Sequence, residues 1–359
     1  MKNKILEYLL KLEHPELNKK FIRRKNIKEI NISENEIDII IQLTIPFKRH
    51  LNAFKKLITQ KLGKLTNLSV TINIDIKIIA HQSQQGVSLI NGVKNVIAIA
   101  SGKGGVGKST VSVNLALSLK QQGYTVGLLD ADIYGPSIPL MMNAVGQKPT
   151  TPDNKTFTPI ISYGLELMSI GFIVLKDEAT IWRGPMMSQA ISQLLFQTNW
   201  SDLDYLIIDF PPGTGDAQLT LSQKADLTGA ILVTTPQDMA LIDVKKSMEA
   251  FKKLKVPIIG LIENMSYFIC DDCGSEHHLF GQNKIESFVK DNSINLLGKI
   301  PLDPSFVEAG DNGEPLYLSS EDELIKNLYG QLSLRVEESI ATLEKPKTKI
   351  EDIQVQLET

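Results

Sequence analysis

Residues 102–110 read Gly102-Lys103-Gly104-Gly105-Val106-Gly107-Lys108-Ser109-Thr110, directly behind the apolar run Val96 to Ala100. A strand that ends in a glycine-rich loop, closes on Gly-Lys-Ser and opens a helix near Lys108 fits the P-loop pattern for binding phosphate. Glycines let the backbone curl so that N–H groups from Gly102 to Thr110 point at β- and γ-phosphate oxygens. The helix N-terminus adds positive potential there. Lys108 is placed to neutralise β/γ charge and Ser109 to ligate magnesium. A turn that merely joins a strand to a helix has no use for the Lys-Ser pair.

Downstream, short apolar runs alternate with helical patterns: Val126 to Leu129, Leu165 to Ser169, Tyr205 to Ile208, Gly229 to Thr234, Ile258 to Glu263 and Leu296 to Ile300. The alternation predicts an α/β fold, a largely parallel, doubly wound sheet with helices on both faces. Two of the runs end in acids, Asp130 and Asp132 after the first and Asp209 after the third. These acids fall at the carboxyl edge of the sheet, where open α/β folds bind ligands. Asp209 suits the role of holding magnesium. Asn264, directly after Ile258 to Glu263, offers a carboxamide donor and acceptor to a purine edge. A last helix is expected over about Glu321 to Leu343.

Upstream, residues 1–80 predict a small α+β domain: a helix over Ile5 to Leu12 broken by His14, Pro15 and Glu16, and strands over Ile27 to Ile32 and Ile37 to Thr44. Pro46 ends the second strand, a helix follows over about His50 to Leu62, and a third strand covers Leu68 to Ile79. Residues 81–93 are Gln-, Ser-, Gly- and Asn-rich and read as a linker, 94–343 as the P-loop domain and 344–359 as a flexible charged tail. Of 359 residues 42% are hydrophobic, enough for buried cores. No apolar run approaches the roughly 18 residues of a membrane span, and MKNKILEYLL lacks the build of a secretory leader, so a cytoplasmic protein without a membrane partner is expected. Residues 1–80 carry 16 Lys/Arg against 8 Asp/Glu, a balance of +8, which leaves −11 of the net −3 for residues 81–359. An acidic P-loop domain does not fit nucleic acid.

Cys270 and Cys273 are the only cysteines, so a disulfide framework is excluded. Two thiols two residues apart, followed by Gly274, can grip one metal or one edge of a cluster. Three uses fit the spacing: a redox pair, a Cys₂His₂ zinc site completed by His277 and His278, and an iron-sulfur site.

Lys103 ahead of Gly104-Gly105-Val106-Gly107-Lys108 makes the loop resemble the deviant Walker A of the MinD/ParA/nitrogenase-reductase ATPases. Together with Asp130 to Ser137 (DADIYGPS), Arg183-Gly184-Pro185-Met186 and Ile262 to Phe268 before the cysteines, residues 90–340 resemble the Mrp/ApbC iron-sulfur cluster carrier ATPases. The first domain resembles the small iron-sulfur assembly domain often fused to bacterial members; it has no cysteine here, so docking is its expected role. The resemblance implies ATP and Mg²⁺ as cofactors, with Lys103 reaching across a dimer to the partner's nucleotide, Asp132 orienting the attacking water, Asp130 supporting its loop and Pro211 to Asp216 forming a second switch. It also implies a homodimer that carries a [4Fe-4S] cluster on Cys270 and Cys273 of both chains, takes it from a donor and transfers it to apo-proteins. The count agrees, since a cubane takes four thiolates and one chain offers two. A partitioning or positioning ATPase with structural zinc is the alternative, although the tail is not the basic amphipathic helix a membrane version needs.

Overall fold

The computed structural model describes residues 1–14, 19–44, 48, 51–81, 87–133, 135–173, 184–213, 215–270, 272–282 and 284–343, and the chain divides into two units, Met1–Ile79 and Ala80–Thr359. In the first unit the order is α1 (Lys2–Lys11), β1 (Ile27–Ile32), β2 (Glu36–Leu43), α2 (Leu51–Thr66) and β3 (Ser69–Ile76). Alternation decides it: β2 buries Ile37, Ile39, Ile41 and Leu43, and β3 buries Val70, Ile72 and Ile74. The same core takes Ile5 and Leu9 from α1 and Phe54, Ile58 and Leu62 from α2, each set at one-turn spacing. β1 pairs with β2 antiparallel and β2 with β3 parallel, so α2 serves as the crossover. The expected helix and strand order is present; Pro15, Glu16, Pro46 and His50 lie outside the described residues.

The second unit runs β4 (Val93–Ser101), α3 (Lys108–Gln121), β5 (Val126–Asp130), α4 (Ile138–Met141), β6 (Ile160–Ser162), β7 (Leu165–Ser169), α5 (Gly184–Phe196), β8 (Leu203–Asp209), α6 (Asp216–Lys224), β9 (Gly229–Thr234), α7 (Asp238–Lys253) and β10 (Ile258–Glu263). It continues through β11 (Phe268–Ile269), β12 (Glu276–His277), α8 (Lys284–Asp291), β13 (Leu296–Lys299), α9 (Ser305–Asn312), α10 (Leu316–Ser319) and α11 (Glu323–Ala341). The large sheet has the order β13-β10-β9-β4-β8-β5-β7-β6, and every pair is parallel except β6 on β7. The chain steps one way from β4 to β5 and the other way from β8 to β9 and β10. Right-handed crossovers in opposite directions put their helices on opposite faces and open a crevice at the carboxyl ends beside β4.

β4 is the middle of this arrangement. Flanked by β8 and β9, it is buried from Asn95 to Ser101, which is why its sequence reads as a continuous apolar run. α3 behind it is buried on nearly every side, and Ser118 donates to the carbonyl of Tyr329 in α11 at 2.9 Å. All the strands expected in this unit are present. The unexpected β6 turns into β7 through Tyr163 and Gly164, both at positive φ, a hairpin turn that a tyrosine gives no warning of. The expected linker is held along its second half: Ser88 bridges to Ala225 and Ile90 is buried, while residues 82–86 and the tail from 344 lie outside the described residues. No described helix is long and apolar enough to cross a membrane.

Gly260 in β10 shows how closely the sheet edge is packed. A Cβ there would stand 2.6 Å from Leu297 Cγ and 2.7 Å from the carbonyl oxygen of Asn295. Gly260→Ala is expected to lower the unfolding free energy by about 1–3 kcal/mol, read from denaturant melts; an unchanged midpoint would show that β13 yields freely.

Candidate nucleotide and thiol sites

The loop from Gly102 to Gly107 owes its shape to lack of side chains at three points. Gly105 and Gly107 are left-handed, at φ +78° and +79°. Gly102 needs space instead: a Cβ would lie 2.4 Å from the backbone carbon of Asp243 in α7. The loop borders a cleft of about 340 Å³ whose other walls come from Asp132, from Ser137, Leu140 and Met141 around α4, and from Phe306, Val307 and Gly310 of α9. Polar loop backbone on one side and apolar helix surface on the other suit a phosphorylated ligand with a flat organic part.

Behind the loop lies a buried charge cluster. Lys108 Nζ stands 2.8 Å from Asp209 Oδ2 and 3.7 Å from Asp132 Oδ2, and Asp209 has no exposed surface. Ser109 donates to Asp209 Oδ2 at 2.6 Å, and Ser112, one turn further along α3, donates to Oδ1 at 2.7 Å. The Ser109 hydroxyl and Asp209 carboxylate are hard oxygen donors side by side, a set that fits Mg²⁺. Asp130 is the register partner of Asp209 on the adjacent strand. Complete burial, and then repulsion from Asp209, push its carboxyl up to about 8 against the pull of Lys108 and Ser169. Asp130 accepts from the backbone N–H of Asp132 at 3.1 Å, from that of Ile138 at 3.3 Å and from the Ser169 hydroxyl at 3.0 Å. It therefore holds the loop that presents Asp132.

Two sequence-derived residues have unforeseen partners. Lys103 Nζ donates to Oε1 of Gln237, just ahead of α7 in the same chain, at 2.9 Å. Asn264 donates through Nδ2 to the carbonyl of Val106 at 2.8 Å and fills the space beside Gly107, where a Cβ would stand 2.2 Å away. Its carboxamide thus braces the phosphate loop and is not among the cleft-lining groups. In the glycine-rich run after Asp209, Gly213 donates its N–H to Ser101 at 2.9 Å. Thr214, the Asp216 side chain, Tyr134 and Arg183 lie outside the described residues. Sequence reading missed Ser112 and Gln237. Ser112 is legible in retrospect, four residues past Lys108 on one helix face; no local signal marks Gln237.

The cysteines sit at the tip of a separate hairpin. β11 and β12 pair antiparallel, Phe268 with His277 and Ile269 with Glu276, and the chain between them carries both thiols. Cys270 accepts from Gly274 N–H at 2.8 Å and donates its own N–H to Ser275 at 3.0 Å, with Gly274 left-handed at φ +69°. Cys273 is exposed and Cys270 partly so. The Ser275 hydroxyl and backbone, with Cys270, hold the Cys273 thiol below its ordinary value, toward the thiolate that binds metal. His278 is committed elsewhere: Nδ1 lies 3.3 Å from the Ser266 carbonyl and Nε2 3.0 Å from Glu276 Oε1. Among the described residues no group of three or more His, Cys, Asp or Glu is placed to hold a metal ion.

This geometry, a phosphate loop with an extra lysine and a separate paired-thiol hairpin in one unit, agrees with comparison to known proteins. Residues 92–337 match the model of the NUBPL iron-transfer P-loop NTPases, and residues 2–74 that of an iron-sulfur cluster assembly protein family. The chain belongs to the NUBPL iron-transfer P-loop NTPases. It is 43% identical to the iron-sulfur cluster carrier protein of Haemophilus influenzae over 93% of this chain and 90% of that one. With the iron-sulfur cluster carrier protein of Escherichia coli it shares 44% identity over 91% and 89%. With the iron-sulfur cluster transfer protein NUBPL of Dictyostelium discoideum it shares 45% over 72% and 81%. Among solved structures, a nucleotide-binding protein in complex with ADP from Archaeoglobus fulgidus aligns with a TM-score of 0.57 at 37% identity, over 63% of this chain and 89% of that one. The cell division ATPase MinD of Pyrococcus furiosus aligns with a TM-score of 0.51 at 21% identity, over 68% and 98%, a likeness of fold alone. The iron-sulfur carrier family expected from the motifs is the family found.

In this family member the raised Asp130 carboxyl has a measurable sign. The folded chain keeps a proton there that the unfolded chain releases above 3.8, so the penalty is absent below that pH, grows as pH rises toward about 8 and is complete beyond it. Nucleotide-free protein should lose stability between about pH 5 and 8. In Asp130→Asn that slope should flatten in denaturant unfolding series, and equal slopes in the two proteins would place the proton elsewhere.

Proposed function

We propose that this chain is an ATP-hydrolysing carrier that holds a [4Fe-4S] cluster between two copies of itself and passes it from a donor to apo-proteins in the cytoplasm. The observation that carries the reading is the hairpin tip: two thiols presented together, His278 turned away from them, in a unit that also has a complete phosphate site. A cubane needs four soft ligands, and two thiols per chain call for a second copy on a two-fold axis. The names of the relatives in Haemophilus influenzae, Escherichia coli and Dictyostelium discoideum support it. The cysteine-free first unit then serves docking.

In hydrolysis, the loop N–H groups and Lys108 hold the β- and γ-phosphates, and their negative charge draws Lys108 away from Asp209. Ser109 and Asp209 hold magnesium, which neutralises charge on the phosphate oxygens when bound. Asp132, on the cleft wall and presented by Asp130, orients the attacking water. Lys103 leaves Gln237 and, from the second copy, places its cation on the phosphoryl group; such a cation contributes about 10³ to 10⁵ in rate.

Two sets of variants test the two halves. Lys108→Ala should lose nucleotide binding and turnover with the fold retained. Lys103→Ala should keep most of its ATP affinity while turnover falls about 10³-fold, and equal loss of binding and turnover would put Lys103 in its own chain's site. After anaerobic reconstitution with iron and sulfide, Cys270→Ala or Cys273→Ala should show no stable cluster absorbance yet bind ATP as before. One zinc per chain, lost equally from cysteine and His277 or His278 variants, would overturn the cluster reading.

A further inference from the structure

Only the five residues from Met265 to Ile269 separate Asn264, which braces the phosphate loop, from the first cysteine. The segment is fastened at its beginning by Asn264, to the Val106 carbonyl and, through the Asn264 N–H, to Thr234 at 2.7 Å. Met265 turns it in the left-handed region at φ +53°. Ser266 then donates its N–H to Ile300 at 2.9 Å, and Leu302 donates to Tyr267 at 2.7 Å. The chain beyond Leu302 leads into α9, whose Phe306 and Val307 form the far wall of the cleft. One short segment is thus tied to both walls of the nucleotide site.

The hairpin beyond it has two residue pairs, Phe268 with His277 and Ile269 with Glu276. So short a two-stranded ribbon is marginal in water and takes its orientation from a tertiary contact. His278 supplies that contact. Nδ1 donates to the Ser266 carbonyl, which can only accept, Nε2 lies 3.0 Å from Glu276 on the second strand and pairs with it when the ring is protonated, and the ring stands edge-on to Tyr267 with centroids 6.5 Å apart. Its neighbour His277 is exposed and makes no such bridge among the described residues.

We infer that His278 is a positioning residue that locks the thiol hairpin to the segment fastened to the phosphate loop, so that nucleotide at the loop resets how the two thiols are presented. This rests on the carrier reading above and adds the route by which ATP reaches the cluster site. The route runs through two hydrogen bonds and the backbone from Asn264 to Ser266 that joins them, within one unit, and its strength is a coupling free energy.

Alkylation of Cys270 and Cys273 by iodoacetamide in the cluster-free full chain, with and without a saturating, slowly hydrolysed ATP analogue, measures the coupling directly. In the wild type the analogue should change the alkylation rate by about fivefold or more. His278→Ala should cut that response to below about twofold at unchanged analogue affinity. His278→Gln, which keeps a donor for Ser266, and His277→Ala should retain it. Wild-type thiols indifferent to the analogue, or a full response in His278→Ala, overturn the inference. Iron uptake on reconstitution is read in parallel: indifferent thiols on protein that still takes up about four iron per dimer sink the coupling alone, whereas responsive thiols on protein that takes up none sink the carrier reading.

Discussion

Inside the second unit a lysine ammonium lies 2.8 Å from a fully buried carboxylate, and the architecture around it can be read as what that contact demands. A buried pair gives back in attraction little more than its desolvation cost, and leaving one partner alone costs about 3–5 kcal/mol. Lys108 and Asp209 are therefore held from all sides. β4 and β8 pair so that Ile99 faces Asp209, β5 brings Asp130 level with it, and Ser109 and Ser112 donate to its two oxygens. Complete burial, and then repulsion from Asp209, raise the Asp130 carboxyl, which ties the Asp132 loop through the Asp132 N–H. A polyanionic phosphate at the loop competes for Lys108 with the carboxylates that now hold it.

Much of this was legible in the chain itself. Continuous apolar runs at β4, β8, β9 and β10 marked strands buried on both faces, alternation in β3 marked a strand buried on one, and the Gly-Lys-Ser sequence placed the loop between β4 and α3. What escaped reading depends on non-local contacts or rare backbone. β6 exists because Tyr163 accepts a left-handed turn, and β11 with β12 is too short for periodicity to register. Lys103 resting on Gln237 joins residues 134 apart, and Asn264 bracing Val106 joins residues 158 apart. Residue type and spacing identified Lys103 and Asn264; only the fold says what they touch.

The histidines teach the same lesson in reverse. His277 and His278 next to a cysteine pair have the composition of a zinc site, yet one ring is exposed in a strand and the other spans Ser266 and Glu276. Composition supplied four potential ligands, and among the described residues no three of them are placed together to hold a metal ion. On the carrier reading proposed above, that reduction turns a question about metal identity into one about stoichiometry, because one exposed and one partly exposed thiol per chain suit a cluster shared between chains and leave an intrachain tetrahedral site short of donors.

Native mass spectrometry of the anaerobically reconstituted protein tests that claim most directly. The account predicts two chains carrying a single four-iron, four-sulfide cluster, with the dimer falling apart when the cluster is removed in the absence of nucleotide. A single chain carrying its own complete cluster, or one zinc ion, would contradict it.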